Sequence, residues 1–479
     1  MRLSRITVTA VGVIATATLL AGCVGSKNNN ASAGSSANQS TNAAAKSVTL
    51  TISANDIAGG KNTAEAGWIT DTVIPGYVAM EKAKGVAAQV SFTGAGVDDG
   101  EYKTKLQLGL KAGNASDVFL ADGIWLGEFA SAGYVKPLSQ VVGASATSWE
   151  GWAQISKSVQ QNMTYKGDLY GIPNGTDGRV LYFNKKLFKQ AGLPADWQPK
   201  SWADILAAGA KLKTVAGVTP IQINAGTEMT EATTAQGFLP LLAGTGKPLF
   251  DDKTGKWQGA TAGVKDVLSF YQKIYGGGLG DKTLQQDKSG RDQSFEEFSQ
   301  GKIGILGESD YLWRSIICPD KKTCHATAMP DRNTDIGWAK FPAEKPGSGV
   351  NGQDFVSVSG GAGIYLNPHT KFPQQAWELM TYMMSKDAQL ALSKTQVRIS
   401  ARADVNATTL ASDPLLSFIA KEVLPITSYR PSDENYNAVS TAIQQATLDV
   451  VSGKSVDQAA NTYQSALQKI VTAAHVSTG

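Results

Sequence analysis

One polar, aromatic-free stretch decides where this chain can begin to fold. Between residues 26 and 47 it is almost entirely Ser, Ala, Asn, Gly and Thr, without one aromatic side chain. Such a segment buries too little apolar surface to offset the entropy of ordering it. It reads as a flexible spacer, so any core has to be built from residue 48 onward. The roughly 430 residues that remain are enough for two domains.

Upstream of the spacer the order is different. Arg2 and Arg5 precede an apolar run over residues 6–20, and Leu20-Ala21-Gly22-Cys23 closes it. Basic start, apolar core and small-residue site are the parts of a secretory signal segment, here residues 1–22. The closing run also resembles a bacterial lipobox, whose cysteine becomes the lipid-carrying first residue. That resemblance implies a protein outside the cell, tethered through Cys23 and residues 23–47 and not embedded. A single acyl chain holds a membrane only weakly; the resemblance implies several.

Charge and cysteine content narrow the class of the body. Lys plus Arg is 44 and Asp plus Glu is 41, and the net charge of +3 falls to +1 once Arg2 and Arg5 are removed. A balanced surface argues against a nucleic-acid partner, which demands clustered cations. No later segment holds the ~20 uninterrupted apolar residues of a spanning helix. Cys318 and Cys324 are the two remaining cysteines. In an extracellular compartment a close pair reads as a disulfide closing a small loop. Free thiols and a metal site with His325 are the alternatives, though the spacing fits no common zinc pattern. No metal or cofactor is expected.

Along the body, short β-rich runs alternate with helical ones, which predicts an α/β fold. Residues 48–53 (VTLTIS), 89–92 and 117–120 read as strands. Residues 70–84 and 101–110 read as helices, the second with Tyr102, Leu106 and Leu110 on one face. Ser201 and Asp204, then Ser455 and Gln458, have capping-box form. Pro373 suits the first turn of a helix carrying Ala376, Leu379, Met380 and Met383. Residues 251–257 superficially suggest a calcium loop but lack alternating oxygen ligands; a hairpin turn at Thr254-Gly255 fits better.

Four stretches resemble extracellular solute-binding proteins of ABC importers, in particular the carbohydrate-binding, maltose-binding-protein-like group. Residues 106–138 (LQLGLKAGNASDVFLADGIWLGEFASAGYVKPL) carry the first. The second joins GDLYGIP (167–173), LYFNKKLF (181–188), AGL (191–193) and Ser201-Trp202. The third spans residues 295–313, with Phe298 and Gly301-Lys302; the fourth spans 360–404, with Ser385-Lys386-Asp387 and Arg402-Ala403-Asp404. The resemblance implies an α/β, two-lobed periplasmic-binding-protein-like fold with an interlobe ligand cleft and hinge strands. It implies one lobe from residues 48–172 plus 340–386 and a second from 173–339 plus 387–479, with crossings near 170–173, 339–342 and 387. It also implies a monomeric receptor that delivers a carbohydrate, an oligosaccharide by preference, to the permease subunits of an ABC transporter without turning it over.

A sugar offers hydroxyls to polar groups and C–H faces to aromatic rings. Loops beyond the carboxyl ends of strands are where ligands sit in open α/β sheets. Asp122 and Trp125, whose family equivalents contact ligand, are therefore the leading pair. Asp98 and Asp99 either accept hydroxyls or cap the next helix. Asp177 with Arg179 makes a hydroxyl clamp or an ion pair. Glu308, Tyr311 and Trp313 follow the strand at 303–306, where the family commonly offers a stacking ring; this chain departs from its usual Gly-Ser-Trp form. Gly361 lets backbone approach closely, and Arg398 and Asn55 complete the set. A same-fold receptor for a polyamine, phosphate ester or peptide, and a secreted glycoside hydrolase with two flanking carboxylates, are the competing readings. His325, His369 and His475 carry no triad signature.

The cysteine reading is checked by mass spectrometry without reduction. A bridged pair resists alkylation and two alkylatable thiols in the body would refute it.

Overall fold

The computed structural model describes residues 42–251, 253–319 and 328–478. Cys23 and Cys324 lie outside them. Cys318 is disulfide-bonded and buried; Cys324, the partner expected from sequence, is outside the described residues.

The first sheet runs in the order Ala87–Gly94, Ser47–Ala54, Val118–Asp122, Ala362–Leu366, Gly171–Pro173. The first three strands are parallel, and Ala362–Leu366 is antiparallel to both its neighbours. Along Ser47–Ala54, residues Val48, Leu50, Ile52 and Ala54 point inward, the period-two pattern of a half-buried strand. The helix Asp99–Ala112 follows, with Tyr102, Leu106 and Leu110 buried as predicted, and Gly113 stops it at φ 70°.

The second sheet runs Ile336–Ala339, Arg179–Asn184, Ile303–Ser309, Thr219–Ile223. Arg179–Asn184 is antiparallel to both neighbours and Ile303–Ser309 is parallel to Thr219–Ile223. Arg179–Asn184 is buried along its whole length, the pattern of a strand covered on both faces. Local signals set the surrounding helices. Ser201 accepts from the Asp204 N–H, and Ser455 and Gln458 form a full capping box. Pro373 opens the helix Pro373–Met383, whose Ala376, Leu379, Met380 and Met383 are buried. Phe250–Asp251 pairs antiparallel with Lys256–Gln258, and Gly255 takes φ 66° in the hairpin turn.

Between the two sheets the chain crosses more than once. A small sheet places Phe355–Ser359 antiparallel to Phe341–Pro342 and parallel to Thr427–Tyr429. The chain leaves the second sheet at Ala339, enters this small sheet at Phe341, leaves it at Ser359 and enters the first sheet at Ala362, so the last change falls at Gly360-Gly361. The helix Lys386–Thr395 packs Ala388 and Leu392 into one cluster with Leu50, Ile52 and Trp68, and the Trp68 Nε1–H donates to the Ala388 carbonyl at 2.8 Å. Apolar contact, not the Ser-Lys-Asp motif, decides which side that helix joins.

Gly361 sits at the tightest point of the crossing. Its φ is 135°, and a Cβ there would lie 2.4 Å from the Gly175 carbonyl oxygen. Gly361→Ala should therefore cost about 1–3 kcal/mol, read by calorimetry as a lower thermal midpoint. An unchanged midpoint would show that the crossing does not need glycine.

Candidate functional site

Arginine is scarce in this chain, and that scarcity locates the site. Nine of the 44 cationic residues are arginine, seven of them in the body. Every one of the seven pairs a carboxylate: Arg179 with Asp177, Arg291 with Glu308 at 2.8 Å, Arg314 with Asp310 at 3.1 Å, Arg332 with Asp413 at 3.4 Å, Arg398 with Glu65 at 2.5 Å, Arg402 with Asp404 at 2.8 Å, and Arg430 with both Asp122 and Glu231 at 3.1 Å. A guanidinium is never deprotonated in a protein and binds carboxylates through a rigid fork, so burying it requires a partner.

Arg430 is the bridge. It follows the crossing strand Thr427–Tyr429. One amino group reaches Asp122, at the end of a first-sheet strand; the other reaches Glu231, just before the segment Thr233–Phe238. Glu231 also accepts from the Tyr436 and Ser440 hydroxyls, each at 2.6 Å. Burial opposes the Arg430 charge, but Asp122 and Glu231 outweigh it and hold the group above its ordinary pKa. Burial likewise works against the Asp177 carboxylate, and Arg179 with Arg430 holds it below its usual range.

Around Tyr311 the chemistry is aromatic and cationic together. The Arg291 guanidinium lies 5.8 Å and that of Arg314 5.5 Å from the centre of the half-buried Tyr311 ring, both within cation–π range. Glu308 is fully buried and takes both Nε and one amino group of Arg291, plus the Asn224 amide and the Ser309 N–H.

The structure sorts the sequence candidates. Asp122, Asp177, Tyr311 and Arg398 fall in this charged network. Trp125 and Trp313 both lie in the core. Trp125 is 6% exposed and lies among Tyr102 and Phe129. Trp313 is fully buried, its Nε1–H on Asp413 and Arg332 against its ring. Glu308 has its lone pairs occupied by its four donors and holds Arg291 in place. Arg179 is buried between Asp177, Gln236 and the Val358 carbonyl, an internal pair and not an open clamp. Asp98 caps the helix at the Gly100 N–H. Asp99 is exposed and ion-paired to Lys61, and also accepts from Asn55. Asn55 exchanges two further hydrogen bonds with the Val97 backbone. Gly361 gives its carbonyl to Asn162 and Gly123, serving the crossing. Sequence reasoning missed Glu231, Tyr436, Arg291, Arg314 and Arg430; the rarity of arginine was the available signal. Among the described residues no group of His, Cys, Asp or Glu could hold a metal ion, and no helix is long and apolar enough to cross a membrane.

Residues 61–390 match the family described as bacterial extracellular solute-binding protein, which is more than half of the chain, and the chain belongs to that family. A solute-binding protein from Thermotoga lettingae, crystallised with α-D-tagatose, superposes with a TM-score of 0.68 and 25% identity over 88% of this chain and 99% of its own. The fold is accordingly the two-lobed α/β one with an interlobe cleft. A maltooligosaccharide ABC transporter solute-binding lipoprotein of Streptococcus pneumoniae is 24% identical over 375 residues, 74% of this chain and 77% of its own. A binding protein of Brucella abortus is 23% identical over 283 residues, and the match covers 59% of this chain but only 62% of that relative.

One acid in the network is perturbed enough to titrate near neutrality. Asp56 is 5% exposed. Burial first, and then the neighbouring Glu65, push its carboxyl up to about 7, against the Asn62 amide, Arg398 and Lys61. A carboxyl raised in the folded state binds its proton there before the unfolded chain does, so its stabilising effect is present at low pH and lost as pH rises from about 4 through about 7. Asp56→Asn keeps the Asn62 contact without the charge. It should match the parent below pH 4 and exceed it at pH 8 by a few kcal/mol at most, measured as thermal midpoint against pH. Parallel curves for the two proteins would contradict a neutral buried Asp56.

Proposed function

We propose that this protein is a lipid-anchored extracellular receptor for a carbohydrate, an oligosaccharide by preference, which it passes unchanged to the permease of an ABC transporter. The observation that carries the reading is the neutralised network of ion pairs. Its guanidiniums all pair with carboxylates and Asp56 alone among the acids named there has no ion pair, with the Tyr311 ring beside them, so the remaining hydrogen-bonding capacity suits a neutral polyhydroxyl compound. A polyamine would need carboxylates free of cations, and Glu65, Asp122, Asp177 and Glu308 all have theirs. Two acids flanking a bond, as a glycosidase requires, are absent from this arrangement as separate, unpaired groups among the described residues. The tagatose held by the Thermotoga lettingae protein and the maltooligosaccharide named for the pneumococcal lipoprotein support the sugar class. That lipoprotein also supports Cys23 as the acylated anchor, with residues 1–22 removed and the body on the outer face of the cell membrane.

The direct test is isothermal titration against monosaccharides and gluco- and manno-oligosaccharides. We expect a saturable isotherm for at least one of them, with the sugar recovered intact by chromatography. Asp122→Asn, which takes one charge from the Arg430 fork and alters the polar wall, should weaken that binding on the order of tenfold. Heat-free titrations across the panel would end the sugar assignment, and shortened saccharides would end the receptor reading.

A further inference from the structure

The segment ahead of the first strand is held down on the body. The side-chain amide of the buried Gln375 donates to the carbonyls of Asn42 at 3.1 Å and Ala43 at 3.0 Å, and the Asn42 amide donates to the Lys371 carbonyl at 2.8 Å. Ala45 packs on the core under the first sheet. The chain is thus docked at the first turn of the helix Pro373–Met383 before the strand Ser47–Ala54 begins. That strand leads at its far end to Asn55 and Asp56. The docked segment and the charged network therefore stand at opposite ends of eight residues of strand, roughly 25 Å apart.

An aromatic cluster lies beside the same helix. Trp149 meets Trp377 of the helix edge-on at 6.2 Å between ring centres, and Trp152 meets Trp149 at 5.1 Å. Gly151 makes the room, since a Cβ there would lie 2.1 Å from the Trp149 ring. Trp377 is buried, whereas Trp149 and Trp152 keep part of their surface in solvent. Gln374 ties the helix to the segment leading into Trp149, through the Val142 carbonyl and the Ser145 hydroxyl, both at 3.2 Å. Consecutive residues of one helical turn, Gln374 and Gln375, thus hold the aromatic segment and the docked segment.

Charge and reach agree with this placement. Lys46 and Lys371, which flank the docked segment, are exposed and make no ion pair among the described residues. Tryptophan favours the boundary between headgroups and acyl chains, where its ring is covered and its N–H stays wet, and unpaired lysines are drawn to anionic lipid. Asn42 stands 19 positions after Cys23. A spacer of that length and composition has an end-to-end distance of about 25 Å, comparable with the radius of gyration of about 22 Å for a body of this size. An anchor at Cys23 therefore keeps this face within reach of the bilayer.

We propose that Trp149, Trp152, Lys46 and Lys371 form a membrane-facing surface that rests the body on the anionic outer face of the membrane holding Cys23. The contact is interfacial and spans nothing, and it leaves the charged network at the end of the strand away from the lipid. It rests on the lipid-anchor part of the proposed function.

The test is hydroxyl-radical footprinting read residue by residue by mass spectrometry. The acylated full chain on phosphatidylglycerol–phosphatidylethanolamine vesicles is compared with the Cys23→Ser chain free in solution. We expect oxidation of Trp149 and Trp152 to fall severalfold on vesicles. Leu108 should be unchanged: it is 64% exposed on the helix Asp99–Ala112, whose Leu106 and Leu110 pack in the other core cluster. The paired reversal Lys46→Glu with Lys371→Glu, at exposed positions, should restore much of the oxidation. Acylated, vesicle-bound protein with Trp149 and Trp152 oxidised as in solution would overturn the membrane face and leave the lipid anchor standing. So would protection that extends equally to Leu108, protection untouched by the charge reversal, or protection of the Cys23→Ser chain at high concentration without vesicles, which would mark a second copy as the occupant. An N-terminal peptide without acyl mass would remove the anchor and the proposal together.

Discussion

The arrangement of this protein turns on keeping guanidinium groups neutralised where water is scarce. An arginine cannot shed its charge, so an interior position holds it only with a carboxylate at hand. All seven arginines of the body meet that condition. Such pairs add little net stability, since well-packed apolar residues often replace them at no loss, but removing one partner costs about 3–5 kcal/mol. Their effect is to hold a polar seam open between apolar cores. Leu50, Ile52 and Trp68 pack on one side, and Val180, Tyr182 and Leu306 on another. Without the seam those surfaces would have no reason to stay apart.

The parts of the fold that were legible in the sequence are those set by near neighbours. Tyr102, Leu106 and Leu110 recur at helical spacing and are buried together; Ser455 and Gln458 cap one another three residues apart. The motifs at 167–173 and 181–188 indicated two lobes because they report the strand that ends one and the strand that begins the other. What stayed hidden depends on distant partners. Arg430 meets Asp122 across 308 positions and Glu231 across 199, and no local window contains both ends. Trp125 and Trp313 show the same limit from another direction. A ring just after a strand reads equally as a stacking plate or as a core residue, and Trp313 is drawn inward by Asp413, a hundred positions away.

The crossing strand depends on distant partners too. The segment Phe355–Ser359 alternates valine and serine. Both serines are buried. Ser357 bonds the backbone of Arg179, and Ser359 bonds the Asp177 carbonyl and Thr427. Buried hydroxyls that satisfy other strands' backbones are what a crossing point needs, because there the main chain is shared among three segments and each polar group must find a partner.

The two ion pairs that connect distant parts of the seam differ in what breaking them would leave behind. Arg398 and Glu65 are both about nine-tenths buried, at 12% and 9% exposure; parting them strands a charge out of water. Arg430 and Asp122 are unequal, at 6% and 38%. If they part, Arg430 keeps Glu231 and Asp122 is the more exposed partner, so separation there strands less buried charge than it would at Arg398.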